Sequence, residues 1–333
     1  MRLRELGLSF GELEPGPLNG ITDVDGIRVG HTTLIEGDDV RTGVTVVLPP
    51  HHVFAAPHRL NGAGEMTGLE WVRESGVLTT PIAVTNTHSV GVVRDAIVEW
   101  SQSRPDAPTW DLPVVAETYD GFLNDINGFH VAREHVFAAL DSASAGRVAE
   151  GSVGGGTGMV CHGFKGGIGT ASRRSGDWIV GVIVQANHGR RSRFTVDGAP
   201  VGRELGAERV PMPEHPDGSI IVVVATDAPL LPHQCERLAR RATLGIARTG
   251  GAGENSSGDL VLAFSTGNEL PSEQVRLVPD EQIDPLFYAV IEATEESIVN
   301  AMLAAETMTG YRGNTVHALD REAFTAIMRR RMP

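Results

Sequence analysis

Apolar residues along the chain fall into two kinds of run. The first is short, rich in β-branched side chains and bounded by turn residues, the mark of buried strands. Residues 27–48 read as two such strands around a turn at Glu36-Gly37-Asp38-Asp39, because β-branched residues crowd "VTVVLPP". "WIVGVIVQAN" (178–187), the run at 220–225 and "LVLAFST" (260–266) predict three more. The second kind repeats at helical spacing. A short strand at 82–85 leads through a small-residue loop into a helix carrying Val92, Val93, Ala96 and Ile97. Residues 134–142 and a stretch around 234–246 also read as helices. Residues 285–306 predict an amphipathic helix with Phe287, Val290, Ile291, Thr294, Ile298 and Met302 on one face. Strands interleaved with helices imply a layered α/β core.

Composition narrows the class of protein. The chain is 333 residues long, 41% hydrophobic and 21% charged, with no low-complexity tract, no internal repeat and no segment that reads as a linker. One large globular domain is expected. A formal charge of -14 argues against nucleic acid as the main partner, since that affinity depends on clustered Lys and Arg. The opening "MRLRELGLSFGELEPG" carries acidic residues and glycines where a secretory signal needs an apolar core, and no run approaches membrane-spanning length. The expectation is a cytoplasmic protein without a membrane partner. Cys161 and Cys235 are too few for a disulfide framework, and no His, Cys or carboxylate spacing suggests a metal site; no metal and no cofactor are expected.

Glycine changes the picture. Of the 40 glycines, a dense group lies in "EGSVGGGTGMVCHGFKGGIGTASRR". Their amides could cradle a small anion, but Lys165 precedes its glycines, and neither GxxxxGK[ST] nor a GxGxxG between strand and helix occurs. Tight turns and close layer packing explain the same residues. A second feature is the Gly218-Ser219 pair directly before the apolar run at 220–225. Asp217-Gly218 is an ordinary turn dipeptide, and Ser219 can simply hydrogen-bond the turn backbone.

Ordered matches along the chain favour chemistry over a plain turn. "NGITDVDGIRVGHTT", "RTGVTVVLP", "ETYDGFLND", "GSVGGGTGM", "KGGIGTASR", "VQANHG", "DGAPVGREL", "DGSIIVVVATDAPL", "ARTGGAGENSSGDLVLAFST" and "ATEESIVNAMLAAETMTG" resemble, in this order, the DmpA-type family. These are the L-aminopeptidase/D-esterase/amidases and the β-peptidyl aminopeptidases. The resemblance extends from about residue 18 to 310. It implies a four-layer αββα sandwich, similar to the N-terminal-nucleophile hydrolases but differently connected. It also implies a precursor that cuts itself before a Ser or Thr. The matching bond is Gly218-Ser219, which divides the chain into residues 1–218 and 219–333.

A serine hydroxyl is a poor nucleophile until a base takes its proton, and a free α-amine, with a reference pKa of about 7.7 to 8.0, suits that task. Cleavage would create such an amine on Ser219 itself, so no catalytic histidine is required; His215 and His233 are minor candidates. Glycine at 218 leaves the backbone free for attack on its carbonyl. By resemblance the oxyanion donors are Asn187 and Tyr119, and Ser257 and Asp259 are a polar pair beside the nucleophile that orients the amine and relays protons. Lys165 matches a family lysine near the cleavage site, where it stabilises charge during self-cleavage or caps a carbonyl. Glu117 lies two residues before Tyr119, so in an extended segment both point to one side, and its carboxylate would pair with a substrate ammonium.

The expected function is therefore a self-processing serine aminopeptidase/amidase. It would release N-terminal residues from small peptides, amides or esters bearing a free amine, through an acyl-enzyme. Two rivals remain: an acyltransferase using the same acyl-enzyme, and an uncut glycine-loop protein that binds a small anion. The family resemblance further implies homo-oligomers of processed protomers.

Overall fold

The computed structural model describes residues 1–105, 107–213 and 218–331. In chain order the strands are β1 (Arg28–Glu36), β2 (Val40–Leu48), β3 (Val53–Gly62), β4 (Val77–Leu78), β5 (Ile82–Asn86), β6 (Val114–Thr118), β7 (Val160–Cys161), β8 (Phe164–Lys165), β9 (Gly167–Ser175), β10 (Trp178–Ala186), β11 (Ile220–Thr226) and β12 (Gly258–Ser265). A small hairpin of β13 (Met308–Thr309) and β14 (Thr315–Val316) follows. The helices are α1 (Leu69–Ser75), α2 (Val90–Gln102), α3 (Arg133–Asp141), α4 (Val201–Glu204), α5 (Pro232–Arg248), α6 (Asp284–Ala304) and α7 (Arg321–Arg329).

Two sheets stack. One has the order β1-β2-β5-β6, the other β4-β3-β12-β11-β10-β9. The period-2 alternation of strand side chains divides the core into three apolar layers. Ile221, Val223 and Ala225 of β11 join Ile183, Leu262, Val47, Ile82 and Val114 between the sheets. Val222 and Val224 face the other way, against α5, α6 and α7 through Leu238, Ile246, Val290 and Phe324. On the outer face of the smaller sheet, Val44, Val46 and Val115 pack against Val93, Ile97 and Leu140 of α2 and α3. This is the four-layer αββα sandwich. Burying each large aliphatic side chain stabilises it by about 1.5–3 kcal/mol, which explains why both faces of β11 are apolar.

Two parallel pairs fix the topology. β5 and β6 pair in parallel, joined through α2, and β11 and β12 pair in parallel, joined through α5. Both crossovers follow the need of parallel strands for a long connection, usually a helix.

Two sequence expectations need correction. The segment at 285–306 is helical, but α6 is buried on nearly all its faces from Glu292 to Leu303 rather than along one stripe. Its polar residues misled the pattern because they are neutralised inside: the fully buried Arg173 guanidinium meets Glu292 at 2.9 Å and Glu296 at 2.7 Å. A buried ion pair with its hydrogen bonds satisfied lets charged residues sit where periodicity expects solvent. Val92, grouped by spacing with Val93, Ala96 and Ile97, is instead 37% exposed, and Val90 completes the buried face of α2. The glycine-rich stretch, read as turns and close packing, supplies β7, β8 and the long buried strand β9. Glycine is required at 169, where an added Cβ would lie 2.0 Å from the Ser297 carbonyl oxygen of α6.

Candidate active site

Strand register brings the candidate residues together. In the parallel β11–β12 pair Ile220 stands opposite Asp259, and in the antiparallel β10–β11 pair Ile220 stands opposite Ala186. Ser219, one residue ahead of β11, is thereby placed between the end of β10 and the start of β12. The Asn187 amide donates to the Ser219 carbonyl at 3.1 Å, and the Gly258 amide donates to Ser219 Oγ at 2.9 Å. The hydroxyl is thus held by a backbone donor while 5% of the residue remains exposed.

The bond proposed for cleavage is held from the other side. Ser257 Oγ lies 2.6 Å from the Gly218 carbonyl oxygen and 2.6 Å from Asp259 Oδ1. A hydroxyl has one proton for two acceptors. When Asp259 is ionised it competes with the Gly218 carbonyl for that proton. When Asp259 is protonated it donates to Ser257 Oγ, and the Ser257 proton is left for the carbonyl. Burial pushes the Asp259 carboxyl up to about 6, against the lowering effect of the Ser257 hydrogen bond.

This shift has a stability consequence whose sign is fixed by linkage. Between the ordinary carboxylate range and about pH 6 the folded chain keeps a proton that the unfolded chain has released, so stability falls as pH rises through that window. In the uncut Ser219→Ala background, adding Asp259→Asn is expected to remove this loss. Relative to the single variant, the double variant should gain about 1–2 kcal/mol between pH 4 and pH 7. Chemical denaturation of the two proteins at both pH values measures it; parallel pH profiles would contradict it.

Asn187 is buried, and both ends of its side-chain amide are hydrogen-bonded. Its Oδ1 accepts from the Val160 amide at 2.7 Å, and its Nδ2 donates to the Tyr119 carbonyl at 3.0 Å. This orientation points the amide nitrogen at the residue before the nucleophile. A Cβ on residue 218 would lie 1.8 Å from the Asn187 carbonyl oxygen and 2.6 Å from its Nδ2. Gly218 is therefore required by close approach as well as by its chemistry. Tyr119 is tied to the site through its main chain; its ring lies over Gly121 and the residue is 39% exposed.

Glu117, at the end of β6, is buried beside the nucleophile's neighbours. It accepts from the Glu65 amide at 3.0 Å and from the Thr87 hydroxyl. Gly64, which packs on Gly258, would carry a Cβ 3.2 Å from Glu117 Oε1. Burial raises the Glu117 carboxyl above its ordinary range, opposed by the Thr87 and Glu65 hydrogen bonds. Gly64 also lines a groove of about 480 Å³ with Met66, Trp71, Leu112 and Leu260. A second cleft of about 480 Å³ reaches Gly218 past Val160, His188, Gly189 and Met212.

Lys165 is fully buried and caps main-chain carbonyls. Its Nζ donates to the carbonyls of Met159 and Gly166, each at 2.9 Å, and lies 3.5 Å from that of Gly156. Burial lowers it to about 7. These bonds tie it to the glycine-rich segment. His233 is exposed near the start of α5, and His215 lies outside the described residues. Sequence reasoning missed Gly258, Gly64, Thr87 and Val160. All four act through backbone donation, close approach or a hydroxyl on a neighbouring loop, and only the glycine inside "SSGD" left a trace in the sequence.

A strand-end serine beside the hydrogen-bonded Ser257–Asp259 pair, on an αββα sandwich, matches the fold of the N-terminal-nucleophile hydrolases. Comparison with known proteins agrees. The model of peptidase family S58 matches residues 19–316. β-Peptidyl aminopeptidase BapA of Sphingosinicella microcystinivorans is 47% identical, over 99% of this chain and 92% of that protein. A solved Burkholderia sp. β-aminopeptidase superposes with a TM-score of 0.94 at 51% identity, covering 99% of both chains. The L-aminopeptidase D-Ala-esterase/amidase of Ochrobactrum anthropi, described as a prototype serine aminopeptidase and a variant of the Ntn hydrolase fold, gives 0.89 at 44% identity, covering 99% of this chain and 98% of its own. The chain belongs to peptidase family S58, and it is a hydrolase of the aminopeptidase/amidase kind.

Proposed function

We propose that the chain cuts its own Gly218-Ser219 bond, and that the new Ser219 terminus then removes N-terminal residues from short peptides, amides or esters. The observation that carries this reading is the pair of hydrogen bonds at one peptide bond. Gly258 N–H holds the Ser219 hydroxyl, and Ser257 Oγ sits on the Gly218 carbonyl. In self-cleavage, Ser219 Oγ attacks the Gly218 carbonyl carbon, the C–N bond breaks, and the nitrogen takes a proton to become the α-amine of Ser219. Water then hydrolyses the ester. In turnover that amine accepts the Ser219 proton as the hydroxyl attacks the substrate carbonyl, Asn187 donates to the oxyanion, the proton passes to the leaving amine or alcohol as its bond to the carbonyl carbon breaks, and water hydrolyses the acyl-enzyme to free Ser219. Labelling with a serine-reactive fluorophosphonate tests the nucleophile directly: the label belongs on Ser219 of the processed protein.

The substrate's free amine is assigned to Glu117. The two relatives named for β-peptides support β-aminoacyl compounds as part of the substrate range. Glu117→Gln removes one charge with little change of shape. It is expected to raise KM for free-amine substrates about ten- to a hundredfold and to narrow their advantage over N-acetylated ones, while self-cleavage survives. Steady-state kinetics on the matched pair checks this, and unchanged selectivity in a fully processed variant would refute it. Assembly of processed protomers belongs to the same proposal, supported by the exposed Trp110, Phe129 and Tyr288. So does a cytoplasmic location, supported by the two free cysteines; among the described residues no helix is long and apolar enough to cross a membrane.

A further inference from the structure

The two segments that hold Asn187 also bring three ligand-type side chains to one point. Cys161, His162 and His188 are all buried, and one ligand atom from each lies within 4.8 Å of the others. We infer that Cys161, His162 and His188 form a binding site for one thiophilic d10 metal ion, Cu+ in preference to Zn2+, directly behind the candidate oxyanion residue. The site stands apart from the reading of Ser219, because binding is measured without turnover.

Sequence spacing hid this cluster. Cys161 and His162 are adjacent, and neighbours on a strand point to opposite faces. Here Cys161 ends β7, and His162 and Gly163 form the two-residue turn into β8 with φ of 49° and 70°. A left-handed pair is the I′ hairpin geometry, and it is unusual for a residue as large as histidine. It swings the His162 ring towards His188, whose carbonyl accepts the His162 amide at 2.8 Å.

The distances fit an ion. Cys161 Sγ lies 3.8 Å from His188 Nδ1, against about 3.6 Å for sulfur and nitrogen on one tetrahedral centre. The two imidazole centroids are 5.0 Å apart, and two imidazoles sharing an ion sit about 5 Å apart. His162 Nδ1 faces the Arg190 carbonyl at 3.4 Å, which fixes the N–H there and leaves Nε2 as the lone-pair nitrogen. That buried Nε2 has no hydrogen-bond partner. Buried polar nitrogens are ordinarily satisfied, so it marks a missing partner.

Charge selects the ion. The Cys161 thiol loses its proton to solvent when the metal–sulfur bond forms. A monovalent ion with one thiolate is neutral, whereas Zn2+ would leave a net positive charge near Arg191, whose Nε lies 3.4 Å from the His162 carbonyl. Soft thiolate and imidazole donors suit Cu+. Entry is available, since His188, Gly189, Val160 and Gly163 line the cleft that reaches Gly218.

The test titrates purified full-length protein anaerobically with chelator-buffered Cu+, and separately with Zn2+ and Co2+, and counts retained metal by elemental mass spectrometry. The expected result is one Cu+ per chain in the unsubstituted protein and in Cys235→Ala. Affinity should fall roughly 100-fold or more in Cys161→Ser. Co2+ on the unsubstituted protein should give a near-ultraviolet thiolate-to-metal band, which needs no variant to fold. Absence of stoichiometric metal and of the band, full binding in Cys161→Ser, or loss of binding in Cys235→Ala would overturn the site. Tighter Zn2+ than Cu+ would overturn the assigned preference.

Discussion

Ser219→Ala is expected to give one folded, uncut chain with activity reduced roughly a million-fold, the cost of removing a serine nucleophile. No hydroxyl is left to attack the Gly218 carbonyl, so neither the new terminus nor its amine forms. The fold should survive. β11 begins one residue later and is buried on both faces, and the hydrogen bond lost among the described residues is that of the Gly258 amide to Ser219 Oγ. Leaving that amide without an acceptor costs about 1–3 kcal/mol. Ser219→Cys should recover part of the cutting, because a thiol can make the same acyl shift. Ser257→Ala is the necessary companion. It should slow processing by removing the hydroxyl at the Gly218 carbonyl, while any small chain it yields still begins at residue 219. An active, cut Ser219→Ala protein would end the assignment.

Asn187→Asp is the second large effect. The substitution keeps an oxygen for the Val160 amide but replaces the Nδ2 donor with an acceptor that faces the Tyr119 carbonyl. Loss of one oxyanion donor costs on the order of 100- to 1,000-fold in rate. The loss should appear in kcat with KM little changed, since the oxyanion exists only past the ground state. Kinetics of the processed variant measure it. A kcat within threefold of the unsubstituted enzyme would remove Asn187 from the chemistry and leave it as a tether between β10 and the Tyr119 segment.

How far the sequence reaches is seen by comparing these two residues with Lys165 and with α6. Strands β10, β11 and β12 were legible because both their faces are buried and their β-branched runs stop at turn residues. Ser219 could be singled out because Gly218 precedes it and an apolar strand follows. Its neighbours could not be derived from local pattern, because parallel pairing through α5 and antiparallel pairing with β10 bring residues 187, 219 and 257–259 together only in three dimensions. The family resemblance supplied those residues in place of geometry. Lys165 shows the limit of that route, since resemblance named the residue while its carbonyl partners became visible only in the fold. In α6, periodicity gave one apolar face, because a one-dimensional pattern has no view of Arg173, which pairs with Glu292 and Glu296 from more than a hundred residues away. Glu117 falls between these cases: spacing drew attention to it beside Tyr119, but its contacts with Thr87 and Glu65 come from segments that no periodicity describes.

The central claim, that Ser219 becomes a chain terminus, is tested most directly by denaturing intact-mass analysis and N-terminal sequencing of the active, purified protein. The account predicts two chains, residues 1–218 and 219–333, the smaller opening Ser219-Ile220-Ile221. A fully active preparation consisting of the uncut chain, or a small chain opening at Ser256 or Ser257, would contradict it.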